Sequence, residues 1–144
     1  MQRRGRPKGI IIHHSLTKDG KTESWDSIKK YHIEEKGWDD IGYHFGIEYI
    51  GDRVMILTGR GVDQVGGHCI GKNDYLGICL VGNYDVQEPE QDKLFVLAGL
   101  TATLLKQFGL LPSTVYPHSK FAQKSCPGRM FPWDRFMSMV SERI

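Results

Sequence analysis

The sequence predicts one α/β domain with a central mixed β-sheet flanked by about three main helices. Short apolar runs of strand length occur between longer segments in which apolar residues recur at helical spacing, and one pair of strands is joined by a tight hairpin turn. The length of 144 residues suits a single domain. We assign residues 1–8 to a short basic N-terminal arm and residues 9–144 to the folded domain.

The first strand is predicted over residues 9–12, a continuous β-branched run of the kind that is buried inside a sheet. A polar pair at residues 13–14 follows it directly. A helix is predicted over residues 22–36, with Thr22 or Ser24 as its capping residue. The polar pair is thus expected at the end of the first strand, ahead of the first helix.

The middle of the chain predicts a hairpin followed by a long loop. Strands are expected over residues 42–50 and 54–58, joined by a two-residue turn with Gly51 in first position. Residues 59–73 contain five glycines, which indicates a loop rather than a helix or strand. The apolar run at residues 76–81 predicts another buried strand.

The C-terminal part contains the longest predicted helix, over residues 90–108, where apolar side chains line one face. Gly109 is the expected helix stop. A short strand is predicted at residues 114–116, and a polar loop follows at residues 117–129. Pro132 can open a last helix, because proline suits the first helical position.

Composition excludes several classes of protein. With 40% hydrophobic and 25% charged residues, the chain as a whole is not intrinsically disordered. A formal net charge of +2 gives no bulk attraction for nucleic acid, so no nucleic-acid partner is expected. No apolar run approaches the roughly 20 residues of a membrane span. The three cysteines are odd in number and widely spaced, which argues against a disulfide framework and favours a reducing compartment.

A candidate metal site lies in the polar loop after the short strand. His118 and Cys126 are eight positions apart, and both imidazole and thiolate are good zinc ligands. His13, at the end of the first strand, is the natural third ligand. Two histidines and one cysteine leave a fourth position for water, whose pKa zinc lowers to about 7. The spacing alone is a weak signal, because an isolated histidine or cysteine is more often a surface or packing residue.

Four blocks of sequence strengthen this hypothesis. They are residues 9–15 (GIIIHHS), 41–47 (IGYHFGI), 66–68 (GGH) with 76–83 (LGICLVGN), and 118–127 (HSKFAQKSCP). Together they resemble, in order, the signatures of the zinc-dependent N-acetylmuramoyl-L-alanine amidases of the phage-lysozyme type, which are relatives of the peptidoglycan recognition proteins. The blocks extend over nearly the whole chain. The resemblance implies an α/β fold with a zinc cleft at one face of the sheet.

The resemblance also implies residue roles. It implies one zinc ion per chain, held by three ligands: His13, His118 and Cys126. Tyr43 and Lys124 match the family's catalytic pair that does not bind the metal, and His68 is expected to contact the substrate. Lys124 can supply positive charge near the ion, and Tyr43 can hydrogen-bond the water or the developing oxyanion. Tyr43, Lys124 and the water itself remain alternatives for protonating the leaving amine.

The other histidines and cysteines are expected to be structural. His14 alternates with His13 and is expected either to be structural or to support a metal ligand, and His44 alternates with Tyr43 and is assigned to packing. His32 belongs to the first helix and is expected at its surface or edge. Cys69 and Cys79 fit buried or half-buried thiols better than metal ligands.

The function implied by the resemblance is hydrolysis of peptidoglycan. The bond cut would be the amide between the lactyl group of N-acetylmuramic acid and the L-alanine of the stem peptide. The N-terminal residues contain no signal-peptide core. We therefore expect an endolysin, made in the cytoplasm of an infected or lysogenic bacterium and reaching the cell wall once the membrane is opened. It is expected to act as a monomer.

Three other functions are considered. A peptidoglycan-binding module without activity is disfavoured by Cys126, Tyr43 and Lys124, because the resemblance links loss of activity to loss of the cysteine ligand. Some phage lysozymes of this type also inhibit their phage's RNA polymerase, and the arm at residues 3–8 would be the place to look, although its composition is that of an ordinary charged terminus. A cysteine hydrolase using Cys126 and His118 would need a helix-borne nucleophile, which a loop cysteine is not.

Overall fold

The computed structural model describes residues 2–3, 5–20 and 24–144. Within them the chain forms five strands and three α-helices. In chain order these are β1 (Ile10–His14), α1 (Trp25–Glu34), β2 (Phe45–Ile50), β3 (Arg53–Thr58), β4 (Leu76–Leu80), α2 (Gln91–Phe108), β5 (Val115–Pro117) and α3 (Trp133–Ser141). Short 3-10 turns lie at Pro112–Thr114 and His118–Lys120.

The strands form one sheet in the order β3-β2-β4-β1-β5. β1 is parallel to both β4 and β5, and β2 is parallel to β4. β2 and β3 form the antiparallel hairpin. The prediction of a mixed sheet in a single α/β domain is therefore confirmed, with the fully buried β1 and β4 at its centre.

The two faces of the sheet have different environments. Alternate residues of a strand point to opposite faces. Ile10 and Ile12 of β1 belong to the large core with α2 and α3, which also contains Leu97 and Phe136. His13 therefore points to the opposite face, away from α2 and α3.

α1 covers part of that opposite face through its first residue, Trp25. Gly46 of β2 makes room for it, because a Cβ at this position would overlap the Trp25 ring. The indole N–H donates a hydrogen bond to the carbonyl of Thr58 at 3.0 Å. Trp25 also packs in a smaller apolar cluster with Ile41 and Cys79. This contact fixes the helix beside the strand ends where the predicted site lies.

The first helix is confirmed, but its capping differs from the prediction. The helix begins at Trp25, after Ser24. The Ser24 hydroxyl donates to the buried carboxylate of Glu48 at 2.9 Å and makes no capping bond to the helix. The alternative cap, Thr22, lies outside the described residues. Ser24 thus ties the helix start to β2 rather than satisfying the helix's own N–H groups.

The strand predicted over residues 42–50 begins later, at Phe45. Gly42 donates its N–H to the ring of His32 at 2.9 Å and accepts a hydrogen bond from the N–H of Gly67 at 2.9 Å. Its backbone groups are therefore used by α1 and the glycine-rich loop rather than by a neighbouring strand. The segment before β2 consequently lies with the loops over the site.

The remaining predicted strands and helices agree with the structure to within two residues. The hairpin turn contains Gly51 with φ +61°, and α2 ends at Gly109, which adopts the left-handed conformation at φ +64°. Residues 59–73 contain no helix or strand. Across the described ranges, no helix has both the length and the apolar character that crossing a membrane requires.

The described part of the basic arm packs against the domain. Arg3 donates a hydrogen bond from its guanidinium to the carbonyl of Gln64 at 2.9 Å. Arg6 does the same to the carbonyl of Phe108 at 3.0 Å, at the end of α2. The arm therefore contacts both the glycine-rich loop and the helix layer.

Candidate functional site

The three predicted metal ligands come together in one buried cluster. His13, His118 and Cys126 each offer a ligand atom, and these atoms lie within 4.8 Å of one another. His13 is supplied by β1, His118 by the 3-10 turn after β5, and Cys126 by the loop that leads to α3. The Nδ1 atom of His13 lies 3.8 Å from the Sγ atom of Cys126. We call these three side chains the ligand cluster.

Backbone hydrogen bonds hold the ligand loop against β1. The N–H of Ser119 donates to the carbonyl of Cys126 at 2.8 Å, which closes the loop on itself. The N–H of His14 points at the Cys126 sulfur, with a separation of 3.3 Å. Because His14 follows His13 in β1, this contact places the sulfur beside the His13 ring.

The ionisation of the ligand cluster suits metal binding. Burial, aided by the charges of neighbouring histidines and Lys124, lowers the pKa of His13 well below its usual range, and the pKa of His118 is lowered for similar reasons. Both rings are therefore neutral at pH 7, the form that binds a metal. Burial raises the pKa of the Cys126 thiol to about 12. A cation must consequently displace the thiol proton when it binds.

The two residues predicted to act beside the metal both lie at the ligand cluster. Tyr43 precedes β2, and its ring centre is 5.1 Å from that of His13. Burial raises the pKa of Tyr43 well above its usual value, and the neighbouring Cys79 thiol adds to the shift. Lys124 is exposed, and its positive charge helps to lower the pKa of both His13 and His118.

His68 contacts the ligand cluster through His13 and also lines the groove beside His118. It is 9% exposed, and its Nδ1 atom lies 2.9 Å from the Nε2 atom of His13. Its other ring nitrogen lies 2.8 Å from the carbonyl oxygen of Tyr75. Burial lowers the pKa of His68 to about 3, so the ring is neutral. The contact with substrate that the sequence predicts for His68 stays a prediction.

A groove of about 550 Å³ opens beside the ligand cluster on the side of His118. Three cations line it: Lys36, Arg60 and Lys124. Trp38 adds an aromatic wall. Three positive charges around one groove favour an anionic ligand. We call it the basic groove.

A second groove, of about 530 Å³, opens on the side of Tyr43. Five of its lining residues carry a hydroxyl group: Ser15, Thr17, Ser24, Ser27 and Tyr31. The His13 ring lies 5.1 Å from Tyr43 of this groove and 4.5 Å from His118 of the basic groove, measured between ring centres. The two grooves thus adjoin the same predicted metal ligand. We call this one the hydroxyl groove.

His14 and His44 both form ring hydrogen bonds within the fold, which agrees with a structural role for each. The Nδ1 atom of His14 accepts a hydrogen bond from the N–H of Tyr84 at 3.1 Å. The Nδ1 atom of His44 accepts one from the N–H of Gly77 at 3.0 Å. Cys79 and Cys69 are buried and lie outside the ligand cluster, as predicted.

The surface position expected for His32 is wrong. The ring is 9% exposed and accepts the Gly42 N–H through Nδ1. The helical period offered a signal, because His32 falls on the same face of α1 as Trp25 and Ile28. A polar ring on that face needs a partner, and the loop before β2 supplies it.

Arg60 of the basic groove was missed by the sequence reasoning. Its guanidinium donates to the carbonyls of Ile41 at 2.8 Å and Val65 at 3.0 Å, which fixes it within the glycine-rich loop. An arginine within a glycine-rich stretch of sequence does not indicate that its side chain lines a groove. Only the fold brings it to the groove that Lys124 also lines.

Comparisons with known proteins agree with this geometry. A family model described as N-acetylmuramoyl-L-alanine amidase matches residues 3–129. The endolysin of Enterobacteria phage T3 is 34% identical over 149 residues, which cover 97% of this chain and 94% of the endolysin. Peptidoglycan-recognition protein LB of Drosophila melanogaster is 34% identical over 137 residues, covering 85% of this chain and 55% of that protein. The chain thus spans about half the length of the fly protein, and only 28% of the human N-acetylmuramoyl-L-alanine amidase, to which it is 27% identical.

Solved structures give the same result. The structure of Drosophila PGRP-LB superposes with a TM-score of 0.80 at 31% identity, covering 91% of this chain and 81% of that one. The amidase LysC from Clostridium intestinale gives a TM-score of 0.81 at 25% identity, covering 95% and 87%. Since the family model matches most of the sequence, this chain belongs to the N-acetylmuramoyl-L-alanine amidase family.

Proposed function

We propose that this protein is a zinc-dependent peptidoglycan amidase that cuts the bond between the lactyl group of N-acetylmuramic acid and the L-alanine of the stem peptide. The observation that carries the proposal is the buried ligand cluster, with Tyr43 and Lys124 beside it. The similarity to phage endolysins over nearly their full length supports the same activity.

The donor set fits zinc. Two imidazole nitrogens and one thiolate are ligands that this cation prefers. In a tetrahedral site with the usual bond lengths, a nitrogen and a sulfur ligand are roughly 3.6 Å apart. The separation of 3.8 Å between His13 Nδ1 and Cys126 Sγ is close to that value. His13, His118 and Cys126 would therefore hold the ion and leave one position open to solvent.

Bound zinc would supply a water of lowered pKa and a Lewis acid for the carbonyl. Lys124 would contribute positive charge where the carbonyl oxygen becomes negative, the largest single term in many hydrolases. Tyr43 keeps its proton at neutral pH because its pKa is raised, so its hydroxyl acts as a donor and not as a base. Tyr43 and Lys124 are the two side chains that can pass a proton to the leaving amine.

The two grooves suit the two halves of the substrate. Stem peptides carry carboxylates, which the cations of the basic groove would attract. Sugar rings carry hydroxyl groups, which the hydroxyl groove can hydrogen-bond. Since both grooves adjoin His13, the amide that joins sugar to peptide would lie over the ligand cluster.

Digestion of purified peptidoglycan tests the proposal directly. Mass spectrometry after treatment with the zinc-loaded protein should find free stem peptides with a new alanine amino terminus, alongside intact glycan strands. Addition of a chelator should remove these products, and zinc should restore them. If the protein sediments with peptidoglycan but releases nothing, it is a recognition module and the roles assigned to Tyr43 and Lys124 are wrong.

We propose further that the protein acts on the cell wall as the related phage endolysins do, after the membrane has been opened. Added to intact Gram-negative cells, it should then have little effect, whereas cells permeabilised with chloroform should lyse. Equal lysis of intact and permeabilised cells would contradict this route.

A further inference from the structure

The hydrogen bonds behind the ligand cluster determine which nitrogen of His13 faces the metal. The carbonyl oxygen of Tyr75 can only accept, so the Nε2 atom of His68, 2.8 Å away, carries the proton. An imidazole with a single N–H accepts at its other nitrogen, so the Nδ1 atom of His68 is the acceptor. The partner at 2.9 Å is the Nε2 atom of His13, which consequently donates. This leaves the Nδ1 atom of His13 without a proton, on the side where Cys126 lies.

The position of the His68 ring is built into the fold by two glycines. At Gly77 of β4, a Cβ would lie 2.6 Å from the Cγ and Cδ2 atoms of the ring and 2.8 Å from Nδ1. At Gly66, a Cβ would overlap the Cδ2 atom. The backbone N–H of His68 also donates to the Asn73 side chain at 2.8 Å. The ring thus packs closely against two glycine backbones, and the His68 backbone is held by Asn73.

We propose that His68 is a positioning residue, which holds His13 in the tautomer and orientation that present Nδ1 to the metal. Both ring nitrogens of His68 are engaged within the protein, so neither is available to hydrogen-bond a substrate. The inference rests on the zinc amidase function proposed above, and it replaces the substrate contact predicted for His68 from the sequence. Partners of this kind change metal affinity by about 10- to 100-fold.

Zinc affinity, measured by competition with a chromophoric chelator, tests the inference without reference to activity. His68→Ala should weaken zinc binding by about 10- to 100-fold. His68→Asn, which keeps an acceptor near the position of Nδ1, should recover part of the loss. The matched control is His44→Ala, because His44 is also buried and its ring centre lies 5.8 Å from that of His68, yet it is not part of the ligand cluster. It should bind zinc as the wild type does.

The tautomer gives a second readout that loss of packing alone would not change. Long-range nitrogen–proton NMR spectra of the metal-free protein should show His13 protonated at Nε2 in the wild type and in His44→Ala. In His68→Ala the ring should populate both tautomers.

Several results would overturn the inference. Zinc affinity unchanged in His68→Ala would do so, as would a rise in KM with unchanged affinity, which would restore the role in substrate binding. An equal loss of affinity in His44→Ala would show that packing is responsible. Failure of the wild type to bind zinc would remove the metal site, and this inference with it. A wild type that binds zinc but cuts no peptidoglycan would refute the proposed function alone.

Discussion

Two buried polar clusters in this protein differ in the length and strength of the polar contacts that their side chains make. Lys93 of α2 is fully buried, and its ammonium group donates to the carboxylate of Asp19 at 2.7 Å, the carbonyl of Val81 at 2.6 Å and the hydroxyl of Tyr84 at 2.7 Å. All three ammonium protons have a partner. At the ligand cluster, by contrast, the shortest polar contact of the Cys126 sulfur is the backbone N–H of His14 at 3.3 Å.

The comparison distinguishes the Lys93 cluster, which is structural, from the ligand cluster, which can bind a ligand. Burial of polar groups costs free energy unless they are paired. Around Lys93 the protein supplies every partner itself, so the cluster has no capacity left for a ligand. In the ligand cluster the Nδ1 atom of His13 and the Sγ atom of Cys126 face each other at 3.8 Å, a long and weak contact that two bonds to a cation would replace. Short hydrogen bonds to every ammonium proton thus identify the Lys93 cluster as structural, whereas the long contacts of the sulfur leave the ligand cluster able to take a ligand.

The largest effect is expected from breaking the ligand cluster. Cys126→Ala should lose zinc and lower turnover by at least about 10³-fold, because metal catalysis contributes several kcal/mol. The fold should persist, as judged by circular dichroism. Gln123→Ala, an exposed change in the same loop, is the control. If Cys126→Ala retained activity without binding zinc, this would contradict a mechanism that depends on the metal.

Breaking the satisfied cluster should affect stability instead. Lys93→Met removes the buried cation that faces Asp19, and the free energy of unfolding should fall by about 3 to 5 kcal/mol in urea titrations. Zinc affinity of the folded protein should stay the same. Lys106→Met, at an exposed position of α2, should change stability little. If Lys93→Met weakens zinc binding while leaving stability intact, the distinction between the two clusters fails.

A smaller effect is expected from changing the charge beside the ligand cluster without touching a ligand. Lys124→Ala should keep zinc and lower kcat by about 10²- to 10³-fold, as removal of one group that stabilises an oxyanion does. Lys120→Ala is the matched control, because it removes an exposed lysine from the same segment. Equal losses in both variants would mean that only the general charge of the loop matters.

The smallest effect concerns pH. Burial lowers the pKa of His44 to about 4, whereas the unfolded chain titrates near 6.5, so the unfolded state binds the extra proton between these values. Stability is therefore complete above pH 6.5 and is lost as the pH falls toward 4. Between pH 7 and pH 5, His44 should account for about 2 kcal/mol. Urea titrations of metal-free wild type and His44→Asn at both pH values measure this share, and equal pH dependence would contradict it.

Much of the fold and the three residues of the ligand cluster could be predicted from the sequence, because short stretches of neighbouring residues contain the patterns that indicate them. The β-branched run of β1 predicts a buried strand, and His13 follows it within the block at residues 9–15. His118 and Cys126 share one loop, and the four blocks occur in the family's order. Alternation along β1 also placed His14 on the opposite face correctly.

Other features could not be predicted from the sequence, because they depend on contacts between segments that are distant along the chain. The burial of Lys93 requires the loop that contains Asp19 to fold over α2. Tyr43 lies ahead of β2 rather than inside it, because Gly42 bonds to α1 and the glycine-rich loop. The hydrogen bond between His68 and His13 joins residues 55 positions apart. No pattern within a short stretch of sequence predicts hydrogen-bond partners that are this far apart along the chain.

The positions of His13, His118 and Cys126 along the chain determine when the ligand cluster can form during synthesis. His13 and Cys126 are 113 positions apart, and β1 pairs with both β4 and β5 in the middle of the sheet. Contacts between such distant residues form late in folding, because a long loop must close first. A nascent chain that has not yet reached Cys126 lacks its third ligand. The ligand cluster is therefore complete only when nearly the whole domain has emerged and closed.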